Sequence, residues 1–389
     1  MKICHISTFY PPLVYGGAEI YVKRIAERMA TDNDVTVITT GENVFESRIE
    51  DINGVKVYRI HPINIYALYR TKSKHTFERI IWNIIDTFNV HSYSLIRKII
   101  IKENPDVVHI HHFKGLTFSF NAVKSLKKPL VYTAHNYFLA CPKEDLFKDS
   151  TRKICNNPRL ICRGYRAFHK ITKKYAPDIV TTPTKFVRDK LRELGFFENS
   201  EVITIPLGIE INREKFQKDY REIDLLFVGR ITEFKGIRIL LKALEDIELP
   251  NLKLHVVGSG SLKFEKNNVK FYGYVSEVEL KELYKKANIL IIPSIWYEVF
   301  GLVILEGFNY GLAAIGSNIG GIPEVIENGH NGLLFKPGDA SDLREKILTL
   351  VNNSKLMKRL SINARRSVKK YDIKKHVSKL YNVYERVIS

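Results

Sequence analysis

Glu298 and Glu306 stand eight positions apart around the apolar run Val299-Phe300-Gly301-Leu302-Val303-Ile304-Leu305. Two ionised carboxylates so placed can accept hydrogen bonds from a polyol. The run falls where a strand should end and a helix begin. Ile289-Leu290-Ile291-Ile292 is closed by Pro293-Ser294, and apolar residues then recur with helical spacing to Phe308. Gly301 near the helix start leaves backbone N–H groups open, and such an end attracts phosphate. Glu306 is expected about two turns into the helix, within reach of the hydroxyls that accompany that phosphate. Its neighbours are apolar, so its carboxylate requires a protein donor or a ligand. Phosphate plus a polyol describes a nucleotide or a nucleotide sugar.

A second anion-binding pattern is Gly229-Arg230-Ile231-Thr232-Glu233-Phe234-Lys235-Gly236, which follows a strand and leads into a helix. Arg offers phosphate a bidentate fork and Lys a point charge. The loop is not a Walker A sequence, and Gly258-Ser259-Gly260 lacks the third glycine of a dinucleotide fingerprint. Gly16-Gly17, just before the first helix, suits close approach of a ligand or a plain turn. His109, His111 and His112 follow Val107-Val108, and His135 ends a later strand. Alternation puts His109 and His111 on one face, with no carboxylate or thiol nearby to complete a metal site, so they are expected to line a ligand cleft. Asp32-Asn33-Asp34 spells D-x-D but lies at the wrong end of a sheet for a ligand and reads as a turn.

These segments share one position, after a strand. Residues 7–17, 109–112, 135–137, 229–235, 258–260 and 298–301 all follow predicted strands. Strands are predicted over 2–7, 34–39, 55–60, 106–111, 130–134, 179–182 and 202–205, with a helix over 18–30 and mostly helical chain over 63–103. After a polar stretch, strands recur at 225–229, 253–258, 269–272 and 289–292, with helices over 237–244 and 276–286. Alternating βα units over two comparable stretches imply two α/β domains with largely parallel sheets, divided near 206–215. An amphipathic helix over 374–387 follows the last predicted strand.

The 389 residues suffice for two domains. Lys+Arg number 61 and Asp+Glu 42, a formal net charge of +19, and residues 151–200 alone hold 12 basic and 4 acidic side chains. Nucleic acid, an anionic membrane surface or a phosphorylated ligand would each suit such a balance. No nucleic-acid motif is present. Met1-Lys2-Ile3-Cys4-His5-Ile6 runs directly into a strand, with no secretory signal, and no apolar run approaches bilayer length, so a cytoplasmic protein is expected. Cys141, Cys155 and Cys162 lack a paired C-x-x-C, Tyr165 standing where a thiol would complete one with Cys162.

Taken together, these motifs resemble the retaining glycosyltransferases of family 4, group 1, and the resemblance spans nearly the whole chain. Glu298 to Glu306 is similar to the family's E-x7-E motif, with Pro293-Ser294 before it and Gly320-Gly321-Ile322-Pro323-Glu324 and Asn331-Gly332-Leu333-Leu334 after it. Tyr10-Pro11-Pro12 with Gly16-Gly17-Ala18-Glu19, Asp106-Val107-Val108-His109, His135, and Gly229-Arg230 with Lys235-Gly236 match further family positions.

The resemblance implies a GT-B fold: two Rossmann-like doubly wound domains facing a central cleft. Residues 1–206 would bind the acceptor and residues 207–373 the nucleotide sugar, with the C-terminal helix (~374–389) crossing back to the first domain. Arg230 and Lys235 would hold the donor diphosphate beside Gly229. Glu306 would accept from the ribose, Glu298 would contact the transferred sugar, and backbone from Phe300 through Gly301 and Leu302 to Val303 would line the pocket. His135 would contact the sugar from the other domain, Gly16 and Gly17 would approach phosphates and acceptor, and His109, Asn136 and Tyr137 would lie on the acceptor side.

The implied activity is hexosyl transfer from a nucleotide-diphosphate sugar to a glycan or lipid-linked acceptor, with no metal and no other cofactor. A sugar-nucleotide epimerase on the same fold is the enzyme alternative, and a basic nucleic-acid-binding protein the non-enzyme one. The interleaved aromatic and basic residues 66–79, with the basic stretch 151–192, suit peripheral attachment to the cytoplasmic membrane face. Leu207 departs from the family's frequent Asn. The three cysteines are one thiol short of the Cys-rich insertion found in some members.

Overall fold

The apolar run Leu225–Val228, and Ile3–Ile6 with the single polar residue His5, can be strands buried on both faces, and in the computed structural model they belong to central strands of two largely parallel sheets. The structure describes residues 1–42, 47–172, 176–214, 218–245, 247, 249, 251–260 and 267–389. The chain forms two units. The first comprises Met1–Glu144, Pro158–Gly208 and Ile373–Ser389, and the second Asp145–Asn157 and Ile209–Asp372.

In the first unit, β1 (Lys2–Ser7), α1 (Gly17–Met29), β2 (Asp34–Thr40), β3 (Arg48–Ile52) and β4 (Val55–Ile60) lead to the helices α2 (Thr76–Thr87) and α3 (Val90–Glu103). Then come β5 (Val107–His112), α4 (Ser119–Ser125) and β6 (Leu130–Thr133). The two-residue strands β7 (Phe147–Lys148) and β8 (Lys153–Ile154) form a separate hairpin, before α5 (Leu160–Thr172), β9 (Ile179–Thr182), α6 (Lys185–Glu193) and β10 (Glu201–Thr204). The sheet order is β10-β9-β6-β5-β1-β2-β4-β3. Every pairing is parallel except β3 with β4. β3 is not among the strands expected from the sequence, because its residues are mostly charged or exposed. Its signal was Asn53-Gly54, both at positive φ, which closes a tight hairpin and leaves a charged edge strand.

The second unit runs β11 (Ile223–Val228), α7 (Ile237–Leu244), β12 (Leu252–Val257), β13 (Val269–Gly273), α8 (Glu277–Lys286), β14 (Ile289–Ile292), α9 (Leu302–Asn309), β15 (Ala313–Ser317), α10 (Ile322–Val325), β16 (Gly332–Phe335), α11 (Ala340–Val351) and α12 (Ser354–Ser367). Its sheet is all parallel, β13-β12-β11-β14-β15-β16. Neither β15 nor β16 is among the strands expected from the sequence. Ala313-Ala314-Ile315-Gly316-Ser317 has little strand propensity, and its pairing with β14 and β16 makes it a strand. Residues Asp145–Asn157 join this unit, where Phe147 meets Phe234 with ring centroids 6.3 Å apart and Arg152 reaches Glu233 at 3.6 Å.

The last helix, α13 (Ile373–Ile388), returns to the first unit and packs against α1, β5 and β6. Its apolar face is spaced at three and four residues through Ile373, Val377, Leu380 and Tyr384, all buried. Two polar contacts fix its register: Tyr384 with His109 Nδ1 at 2.7 Å, and His376 Nε2 with Tyr21 at 2.6 Å. The fold is α/β with two Rossmann-like sheets and a C-terminal helix that crosses back, as expected from the sequence. Among the described residues no helix is long and apolar enough to cross a membrane.

Candidate active site

In the second unit the expected residues gather at the carboxyl ends of β11 and β14. The loop after β14 brings Glu298 back to the loop after β11. Glu298 is 8% exposed, and its Oε2 accepts from Lys235 Nζ at 2.7 Å, Trp296 Nε1 at 3.0 Å and Ser294 Oγ at 3.2 Å. Three donors on one oxygen hold this carboxylate in a single orientation. Gly320 makes room for it: a β-carbon there would stand 2.5 Å from both the backbone N and O of Glu298. Lys235 Nζ also lies 5.1 Å from the Trp296 ring centroid, and the Arg230 guanidinium lies 5.0 Å from that of Phe234. Aromatic faces thus attract both cations.

Gly301 caps α9 at φ 82, a left-handed conformation that disfavours any side chain. The helix begins at Leu302, so Leu302 and Val303 present first-turn N–H groups, while Phe300 is buried and meets Tyr371 edge-on at 5.9 Å. Glu306 falls closer to the helix start than expected, a little over one turn in, because α9 starts only after Gly301. Its required donor is Tyr284 on α8, whose hydroxyl reaches Oε2 at 3.1 Å. Gly229 donates its N–H to Val257 at 2.9 Å. Gly258 and Gly260 serve backbone pairing, to Gly273 and Ile231 respectively, which accounts for the partial fingerprint without a dinucleotide.

In the first unit, Gly16 caps α1 and donates its N–H to Glu19 Oε2 at 2.7 Å, with Gly17 opening the helix. Burial raises the pKa of the Glu19 carboxyl, opposed by the nearby His112. Asn136 Nδ2 donates to Glu144 Oε2 at 3.0 Å, and Lys114 lies 2.9 Å from Oε1 of the same carboxylate. Burial would raise the Glu144 pKa, but Lys114 and His112 beside it hold it well below the usual range.

His135 is half-buried and ends a row of imidazoles, since His5 Nδ1 meets His111 Nε2 at 3.0 Å and His111 Nδ1 meets His135 Nε2 at 3.2 Å. Burial holds His5 and His135 down to about 3, and pushes His111 far below its ordinary value.

Two acceptor-side expectations are corrected. His109 does not line a ligand site: it is fully buried, with Nδ1 on Tyr384 and Nε2 on Thr133, each at 2.7 Å. Tyr137 is also wholly enclosed. For His109 the cause is α13, expected from the sequence to return to the first domain, whose Tyr384 satisfies the imidazole from the β5 side. Among the described residues, His5, His109 and His111 form the one cluster with metal-ligand spacing, their donor atoms within 4.8 Å of one another. Both nitrogens of His109 and of His111 are engaged in the contacts above. Tyr165 donates to the Phe138 carbonyl at 2.9 Å, so the residue that interrupts the cysteine pattern is a packing residue. Trp296, Tyr284, Lys114 and Glu144 were not singled out from sequence. Trp296 was legible beside Glu298, whereas Tyr284 reaches Glu306 only through the fold.

Two Rossmann-like units, with a cation–carboxylate pair and a glycine-capped helix at the strand ends of the second, define a glycosyl-transferring enzyme of the GT-B type. The Glycosyltransferase Family 4 profile matches residues 15–213 and the Glycosyl transferases group 1 profile residues 208–367, and the chain belongs to this family. An uncharacterized glycosyltransferase of Methanocaldococcus jannaschii is 28% identical over 409 residues, covering 99% of this chain and 98% of that protein. Sucrose-phosphate synthase from Thermosynechococcus elongatus shares the fold at TM-score 0.78 and 18% identity, over 99% of this chain and 98% of its own. HepE of Anabaena, solved in complex with UDP-glucose, does so at TM-score 0.70 and 17% identity, over 99% and 100%.

Proposed function

We propose that this glycosyltransferase moves a hexose, with retention at the anomeric carbon, from a nucleoside-diphosphate sugar to a hydroxyl of a glycan or lipid-linked acceptor. The observation that carries this reading is the Lys235–Glu298 pair at 2.7 Å, which joins the loop that carries Arg230 to the loop that leads into α9. Breaking the sugar–phosphate bond leaves its electron pair on the phosphate oxygen, and preorganised cations stabilise that charge. Arg230, Lys235 and the first-turn N–H groups of α9 supply them, so no metal is assigned to the step. Glu298 orients hydroxyls of the departing hexose, Glu306 accepts from the ribose, and His135 is the proposed sugar contact of the first unit. The acceptor oxygen bonds to the anomeric carbon, and its proton passes to the leaving phosphate. The UDP-glucose complex of HepE supports a nucleotide-sugar donor.

The test is calorimetric titration of UDP, GDP and ADP, free and as hexose conjugates, into wild type and Glu306→Ala. One nucleotide should bind selectively and lose affinity in the variant. Binding by none of the six ligands would overturn the reading. Donor turnover should also persist in EDTA, and its abolition would overturn the metal-free assignment.

A further inference from the structure

Eleven of the nineteen large apolar side chains exposed among the described residues fall in two short stretches, 63–90 and 160–171. On α2 they make a stripe. Phe77, Ile80, Ile84 and Phe88 repeat at three and four residues and all are exposed, while Trp82 and Asp86 on the opposite side are buried. That inner side is tied down by Trp82 Nε1 on the Tyr66 carbonyl at 2.9 Å and Asp86 Oδ2 on the Gly115 N–H at 3.1 Å. The helix is therefore anchored through its polar and indole groups and turns a row of hydrocarbon outward. Tyr66, expected from the sequence to belong to the outer surface, is buried.

The end of α2 meets α5, where the Phe88 and Phe168 rings approach to 5.2 Å. On α5, Leu160 is 84% exposed, Ile161 70% and Ile171 77%, while His169 faces inward and is buried. The charges are one-sided. From Leu160 to Thr172 there is no carboxylate, whereas Arg163, Arg166 and Lys170 lie on the helix and Arg159 precedes it. On α2 the two acids are accounted for, Glu78 by Lys74 at 3.1 Å and Asp86 by burial.

We propose that α2 and α5 form a docking surface for an anionic lipid bilayer, with the apolar stripes entering the headgroup boundary and the flanking arginines meeting lipid phosphates. An outward hydrocarbon row beside cations, with the one part-exposed acid of the two helices, Glu78, paired to Lys74, is the pattern that partitions into an interface, long basic side chains reaching the phosphates while their stems cover hydrocarbon. A second copy of the chain fits this face poorly, because pairing it with itself would bring like charges together. The surface requires no assumption about donor or acceptor, so its test needs neither.

Sedimentation with vesicles of phosphatidylglycerol and phosphatidylcholine, against phosphatidylcholine alone, tests it. Wild type should pellet with the anionic vesicles, and binding should weaken several-fold as salt rises from about 0.1 M to about 0.5 M. Phe77→Ser with Ile84→Ser should reduce binding about tenfold or more, since two exposed apolar side chains leave the boundary. Arg159→Glu with Arg163→Glu should do so independently. Both variants should keep the wild-type circular dichroism. If the α2 variant loses fold, Leu160→Ser with Ile171→Ser replaces it. The proposal is overturned if wild type binds neither vesicle, if folded variants bind as wild type does, or if sedimentation velocity shows that the α2 face closes a dimer with no vesicle affinity.

Discussion

Lys235 Nζ and Glu298 Oε2 are 2.7 Å apart, so the cation assigned to the donor diphosphate and the carboxylate assigned to the sugar form one ion pair. Trp296 and Ser294 add hydrogen bonds to the same oxygen. The three donors share one oxygen, so on the proposed reading the other oxygen is the one that meets the hexose hydroxyls. On the proposed reading the pair would preorganise the site before any donor arrives, and limit the reorganisation left for the transition state.

Lys235→Met should strip the charge partner from a nearly buried carboxylate and destabilise the protein by about 2–4 kcal/mol, near the lower end for broken buried pairs because Lys235 is partly exposed. Glu298→Gln added to it should recover much of that loss, since the stranded charge is gone. Urea unfolding of both variants measures this. Equal stability of Lys235→Met and wild type would show that the pair has no structural role. Transfer should fall about 10²- to 10³-fold in either case.

Gly301→Ala should cost about 1–2 kcal/mol from the left-handed backbone alone. Its added carbon would also stand 2.9 Å from Ile304 Cδ1 and displace the α9 N-terminus. Gly338→Ala is the control, with φ 78 and nothing within 4 Å of its β-carbon. Both should lower the unfolding midpoint, but only Gly301→Ala should weaken nucleotide binding. Equal affinities would remove α9 from the donor site.

The two sheets were legible because their central strands are continuous apolar runs bounded by glycine and proline, and the order of alternation sets their parallel pairing. Glu298 and Glu306 were legible because carboxylates stand out in such runs. His109 was misplaced for a physical reason. A polar residue at a strand end looks the same in sequence whether a ligand or another helix satisfies it, and here Tyr384 does, 275 positions away. The depth of Glu306 within α9 was overestimated because the turn through Gly301 delays the helix.

Acid should destabilise the first unit through its histidines. Burial holds His5 and His135 down to about 3 and His376 down to about 4, while the unfolded chain titrates near the ordinary value of 6.5. Between those values the unfolded state binds protons that the native state does not. Stability is therefore full above about pH 6.5 and lost as pH falls toward 4, by up to about 1.4 kcal/mol per pH unit for each such histidine. Thermal melts from about pH 7.5 to about pH 5 should show a steep fall in the midpoint, and His376→Gln should flatten it. A constant midpoint over that range would contradict the buried neutral histidines.

The direction of the imidazole row can also be tested. His5 Nε2 is buried and has no hydrogen-bond partner among the described residues. A buried N–H without an acceptor is rarer than an unpaired acceptor, so His5 should carry its proton on Nδ1. That proton points to His111 Nε2, which forces the His111 proton onto Nδ1, toward His135 Nε2. His135, neutral and accepting at Nε2, must then carry its proton on Nδ1. A residue three positions into β1 thus fixes which nitrogen His135 offers as a donor. Long-range proton–nitrogen NMR correlations should show Nδ1-protonated neutral rings at 5, 111 and 135, and His5→Ala should release His111 and His135 into mixed tautomers. An Nε2-protonated His135 in the wild type would reverse the row and make Nδ1 an acceptor.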